Sequence, residues 1–260
     1  MRGSARHLWA AVAALCIALP GTAQAGQTPR SLPNLAAVTP FYVEAGPPNP
    51  SENPLLPPPD PSKRVLKFTT EVANLGSVPL DVLGVPSKDE PTGLDAEQCV
   101  GWAAPGVCSA RTRVGTLHFH DAHVHWHFDG FALHELRRVG SDGAPDMSTA
   151  GLVGSTGKTS FCLMDSERVG GGDDPVGTAP TYQSCTGVRQ GITPQWADVY
   201  EAGLPGQEIP IDGVPDGVYA LVITANPAGF LLETDTTDNA AWALVALSEH
   251  GNRAQLVDHA

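Results

Sequence analysis

The chain has 260 residues, with 15 Lys and Arg against 28 Asp and Glu and a net charge of −13. That acidity excludes a nucleic-acid partner, whose phosphates it would repel, and it suits positively charged ligands. The length fits one domain, and 28 Gly and 24 Pro make the chain rich in turns.

At the N-terminus, Arg2 and Arg6 precede an apolar run from Leu8 to Leu19, and Ala23-Gln24-Ala25 follows as a small-residue cleavage site. This three-part layout is that of a secretory signal peptide. The apolar run is too short for a membrane span by roughly a third, and Pro20-Gly21 interrupts it. The expectation is a signal peptide over 1–25 and a secreted, soluble domain over 26–260 with no membrane partner. Loss of the two arginines takes the net charge to about −15.

Residues 45–62, AGPPNPSENPLLPPPDPS, read as a Pro-rich extended surface segment. Beyond it, RVLKFTTEVANLG alternates, with Val65, Lys67 and Thr69 against Leu66 and Phe68. Farther on, VYALVITANP and AAWALVAL are β-branched or apolar and bounded by Gly, Pro and Asn. No helical stripe is sustained. Short strands between turn clusters predict an all-β fold, a β-sandwich-like single domain with long irregular loops.

Four cysteines remain beyond Cys16: Cys99, Cys108, Cys162 and Cys185. An even number in an exported chain reads as two disulfides. Three pairings are open, and the local one, Cys99–Cys108 with Cys162–Cys185, is preferred. The spacing fits no CxxC metal or redox motif.

LHFHDAHVHWHFDGF, Leu117 to Phe131, holds five of the nine histidines. On a strand, His123, His125 and His127 share one face, with Val124, Trp126 and Phe128 on the other. The apolar face suits a core. Three neutral imidazoles suit copper, zinc or nickel. The outer two would have to lean inward over ~13 Å of extended chain. His118 and His120 precede the break at Asp121-Ala122 and are expected to serve behind the ligands or at the surface, since three nitrogens leave an open position on the metal.

HVHWHFDGF, GKTSFCLMD, CTGVRQGITPQWADVY, IPIDGVPDGVYALVITANP and LLETDTTDN occur in that order. Together they resemble the catalytic domain of the lysyl oxidase family, from about Leu117 to Leu247. LPNLAAVTPFYV and RVLKFTTEVANLGSVPLDVLG resemble it less closely. The resemblance implies copper on His123, His125 and His127. It also implies a lysine tyrosylquinone cofactor made from Lys158, in GKTSFC, and Tyr200, in WADVY. Read alone, Lys158 is a surface lysine and Tyr200 a strand-end aromatic.

The family's acidic turn, which binds calcium in some members, matches Glu233, Asp235, Asp238 and Asn239. Here Asp238 stands for an Asn, and Asn34 for an acidic partner near LPNL. Ala122 stands where animal members carry a cysteine. The segment after His127 is shorter, so no general base carries over; His134, His120 and Asp129 are the candidates.

The function implied is a secreted copper amine oxidase. It would take a primary amine, peptidyl-lysine or similar, and O2 to an aldehyde, hydrogen peroxide and ammonia. A non-catalytic metal-holding sandwich, for adhesion or copper sequestration, needs the histidines but not Lys158 or Tyr200. A zinc hydrolase is weaker, for want of a ligand paired with a base as in HExxH.

Overall fold

A computed structural model describes residues 31–169 and 179–257, and the expected signal peptide lies outside them. The strands in chain order are β1 (Leu35–Ala37), β2 (Tyr42–Gly46), β3 (Val65–Asn74) and β4 (Leu80–Pro86). There follow β5 (Leu94–Ala104), β6 (Val107–His120), β7 (His125–Phe128), β8 (Ala132–Arg138) and β9 (Leu152–Ser155). The remainder are β10 (Glu167–Arg168), β11 (Arg189–Ile192), β12 (Trp196–Tyr200), β13 (Glu208–Pro210), β14 (Gly217–Ala225), β15 (Ala240–Ser248) and β16 (Arg253–Val257). One 3-10 turn, Thr149–Gly151, is the sole helical element among the described residues. The all-β expectation holds, and the three long strands read from RVLKFTTEVAN, VYALVITA and AAWALVAL form as β3, β14 and β15.

Three antiparallel sheets result. One runs β1-β3-β12-β10, with β2 and β13 also on β3; another β11-β4-β5-β6-β7; the third β16-β15-β14-β8-β9. Strand β3 is covered on both faces. Only Lys67 and Glu71 are half-buried, and the other eight positions are buried. Its alternation marks the strand but understates its burial, because a strand packed on both sides has no solvent face. Leu66 and Phe68 join Leu136, Ile209, Leu221, Val245 and Leu247 in one cluster against the third sheet. Val72 joins Leu80, Val82, Leu117, Phe128, Phe161, Ile192 and Tyr200 in another, against the second sheet. Each buried side chain of this size contributes about 1.5–3 kcal/mol. The second cluster places Tyr200 directly behind the histidine hairpin.

Both expected disulfides form, Cys99–Cys108 with a Cα separation of 5.8 Å and Cys162–Cys185 with 5.3 Å. The first staples β5 to β6. The second joins two segments that flank β7: Phe128 N–H donates to the Phe161 carbonyl, and Trp126 N–H to that of Cys185.

Candidate metal and quinone site

Strands β6 and β7 form a hairpin in the register Leu117↔Phe128, His118↔His127, Phe119↔Trp126, His120↔His125. Paired residues share a face, so His118, His120, His125 and His127 all face one way. Leu117, Phe119, Trp126 and Phe128 face the other. This corrects the reading of 123–127 as one extended strand. His123 lies in the turn, where its N–H and that of Val124 both donate to the His120 carbonyl. Val124 has φ +60° and is 55 % exposed, so it is no part of the apolar face. A β-branched residue pays strain in that region. The turn brings His123 back over its neighbours, which an extended strand would not do.

The three imidazoles each present a ligand nitrogen, all within 4.8 Å of one another. His127 is fully buried; its Nδ1 lies 3.4 Å from Ser160 Oγ, and its Nε2 has no partner. His123 Nδ1 lies 3.3 Å from a carboxylate oxygen of Glu52. Burial, with the nearby Lys158 charge, lowers His123 to about 3 and pushes His127 and His125 down as well. All three are therefore neutral at neutral pH, as metal ligation requires. An orphaned, inward Nε2 on His127 and three neutral nitrogens fit a divalent transition metal. His120 stacks 4.7 Å from His127 and has an unpartnered Nδ1. His118 Nδ1 lies 2.7 Å from a carboxylate oxygen of Asp129.

Lys158 follows β9 and turns inward. Its Nζ sits 3.2 Å from His123 Nε2 and 3.4 Å from the Pro205 carbonyl. It also lies 4.7 Å from the Phe161 ring centre and 5.0 Å from that of Tyr200. Gly206, at φ +74°, lets the backbone pass; a Cβ there would lie 2.8 Å from Lys158 Cδ. Burial lowers the ammonium to about 8, against the pull of Glu52 and Asp198. A neutral amine is the nucleophilic form. Tyr200 ends β12, and its hydroxyl donates to the Cys162 carbonyl at 2.6 Å. Its ring meets Phe161 edge-on at 4.7 Å. Burial raises the phenol well above its usual range.

Two acids here escaped the sequence reading. Asp198 is 2 % exposed, and its Oδ2 has no partner. Period two puts it on the same strand face as Tyr200, and the alternation in Asp-x-Tyr was the signal. Burial pushes its carboxyl well above 3.8, with the Lys158 charge opposing. Glu52 comes from the Pro-rich segment, where composition alone gave no sign of it. Of the candidate bases, His134 is buried between Phe68 and Phe161 with both ring nitrogens unpartnered. Its imidazole is held down to about 3, chiefly by burial.

The acidic turn lies elsewhere. Glu233 accepts from Asn226 Nδ2 at 2.6 Å, Asn239 Nδ2 at 2.8 Å and Leu35 N–H at 3.1 Å. Asn34 Nδ2 donates to Asp238 at 2.9 Å. One oxygen each of Asn34, Asp238 and Asn239 is buried without a partner. Asp235 is exposed and accepts from Thr237 instead.

The lysyl oxidase family model matches residues 109–256. Lysyl oxidase homolog 1 of Homo sapiens is 34 % identical over 125 residues, 48 % of this chain and 19 % of that protein. Protein-lysine 6-oxidase of Sus scrofa is 29 % identical over 133 residues, 51 % of this chain and 47 % of that protein. The human protein-lysine 6-oxidase is 31 % identical over 122 residues, 46 % of this chain and 26 % of that protein. The chain thus spans about half or less of the length of these relatives. The match covers the histidine hairpin, Lys158, Tyr200 and the acidic turn, and the chain belongs to the lysyl oxidase family.

Proposed function

We propose that this protein is an exported copper-dependent amine oxidase whose quinone is made from its own Lys158 and Tyr200. One observation carries the reading: the Lys158 amine lies 5.0 Å over the Tyr200 ring and 3.2 Å from a histidine of the metal-ready trio. His123, His125 and His127 would hold copper. Copper held there would supply, with dioxygen as oxidant, the ring oxidation that lets the Lys158 amine join Tyr200, and the lysine tyrosylquinone so made would supply an electron sink for a primary amine.

The chain's own residues supply the rest. Phe161 fixes the Tyr200 ring edge-on. Burial keeps a fraction of Lys158 neutral and able to attack. Asp198 takes the proton that leaves the amine-bearing carbon of the substrate, a step worth about 10²–10⁴ in rate. The quinone would supply the sink for the electron pair left by that proton, with dioxygen as the final oxidant and water as the source of the aldehyde oxygen. The products are an aldehyde, hydrogen peroxide and ammonia. The substrate class is a primary amine such as a peptidyl lysine, drawn by the net charge of −13.

Two disulfides and the signal-like N-terminus support export. Among the described residues no helix is long and apolar enough to cross a membrane. At the acidic turn, Glu233, Asp238, Asn239 and Asn34 would bind calcium, which takes six to eight oxygens. Their three unpartnered oxygens support that role.

Intact mass, visible absorbance and quinone staining of the copper-loaded protein test the reading. Lys158→Ala is expected to abolish colour and peroxide release while copper stays bound. Turnover retained by Lys158→Ala would rule out the quinone, leaving a metal-holding sandwich.

A further inference from the structure

The Pro-rich segment after β2 spans the two walls of the site. At one end, the Asn49 side-chain amide donates to the carbonyls of Ala202 and Leu204 at 2.7 and 2.9 Å. Its backbone N–H donates to Glu208 at 2.8 Å. This loop continues into Pro205 and Gly206, which line Lys158. Two to four residues farther along the segment, one carbonyl gathers three donors. Ser51 Oγ, Glu52 N–H and Asn53 N–H meet the Ala122 carbonyl at 2.9, 3.0 and 3.2 Å.

Ala122 precedes His123 in the hairpin turn, so this anchoring delivers the Glu52 carboxylate to His123 Nδ1 at 3.3 Å. The His123 side chain is 3 % exposed and that of Glu52 38 %, so the carboxylate closes the outer side of a buried ring. Pro50 and Pro54 flank the three anchoring residues. Their fixed φ reduces the freedom that ordering this segment must remove.

A metal-bound histidine is oriented by the partner of its other nitrogen, and losing that partner typically costs 10–100-fold in metal affinity. We propose that Glu52 is the positioning residue for His123, facing its Nδ1 so that Nε2, which looks toward Lys158 Nζ at 3.2 Å, is presented to the metal, and that the Pro-rich segment is the clasp that brings it there. The inference rests on the trio being the metal site, and it is independent of whether the quinone forms. It assigns a task to a stretch whose composition suggests a mere surface linker. It also couples the two: metal bound at His123 holds the ring for Glu52, and Glu52 holds the clasp.

The test uses the metal-free full chain titrated with Cu(II) against a competing chelator, with electron paramagnetic resonance of the copper-loaded protein. Glu52→Ala is expected to lower copper affinity 10–100-fold and to shift the copper spectrum, and Glu52→Gln to lose less. Asp60→Asn, at the far end of the same segment with its carboxylate accepting from Ser62, leaves both unchanged. In the unsubstituted protein, hydrogen exchange at the Glu52 and Asn53 amides slows when copper is added. Glu52→Ala with full affinity and an unaltered spectrum overturns the clasp while leaving the oxidase reading intact. So does amide exchange indifferent to copper. A natural chain that binds no copper at all overturns both. Copper binding that depends on Glu52, without any quinone colour, sustains the clasp and sinks the oxidase.

Discussion

Two corners of this protein present candidate cation ligands in opposite ways. At the hairpin the candidate ligands are nitrogens of three histidines within five residues, and one turn brings them together. At the Glu233 turn they are oxygens from opposite ends of the chain, with Asn34 bonded to Asp238. The nitrogen corner can be buried without its metal, because an imidazole discards its proton and becomes neutral. The oxygen corner can do so only by leaving acceptors unpaired, and three of them are. The difference teaches that in this protein the nitrogen set is gathered within one local hairpin, whereas the oxygen set is gathered by topology.

The largest expected effect separates the corners by chemistry. Tyr200→Phe removes the oxidisable hydroxyl and with it all quinone staining and peroxide release, while calcium-dependent stability is untouched. Staining retained by that variant would mean that another ring carries the cofactor.

Asp198→Asn comes next, with kcat for a simple alkylamine down about 10²–10⁴-fold at normal quinone content. Its stability also acquires a different pH dependence. Burial raises the folded carboxyl above 3.8, so the folded state holds a proton that the unfolded chain releases. Stability from this group is therefore full at low pH and falls as pH rises from 3.8 through the folded value. Urea denaturation across that range should show a flatter slope for Asp198→Asn; an unchanged slope would mean that the carboxyl titrates normally.

The oxygen corner should be worth less. Calcium at a hundred times its Kd adds about 2.7 kcal/mol, read as a rise in Tm that Glu233→Gln abolishes. An equal rise in the variant would place calcium elsewhere.

The smallest effect belongs to the turn that lets the hairpin work. Val124→Asn relieves a positive φ and is expected to add about 1 kcal/mol in urea denaturation with copper affinity unchanged. A loss of affinity would show that the bulk of Val124 shapes the ligand set.

Much of this site was legible. The histidine repeat picked out the three imidazoles that the fold brings together, since residue type is a local property, yet its geometry was misread. Alternation assumed an extended backbone, and nothing local announces a Val at φ +60°. Lys158 and Tyr200 carried no periodic signal and were singled out by resemblance alone, because their meeting depends on Phe161 pairing with Phe128 and on β12 pairing with β3. Asp198 was readable in principle from its place two residues before Tyr200. Glu52 was not, since no local pattern reports which distant carbonyl will collect a segment's donors.

By itself, then, the sequence determined the all-β class and grouped three histidines as candidate nitrogen ligands, and it favoured the local disulfide pairing that the structure contains; all of these follow from short-range spacing and residue chemistry. Tertiary structure decided how Lys158 lies against the Tyr200 ring, that Asp198 is buried beside them and that Glu52 covers His123. Those contacts join segments far apart in the chain, and burial, which exists only after folding, sets the protonation states on which their chemistry depends.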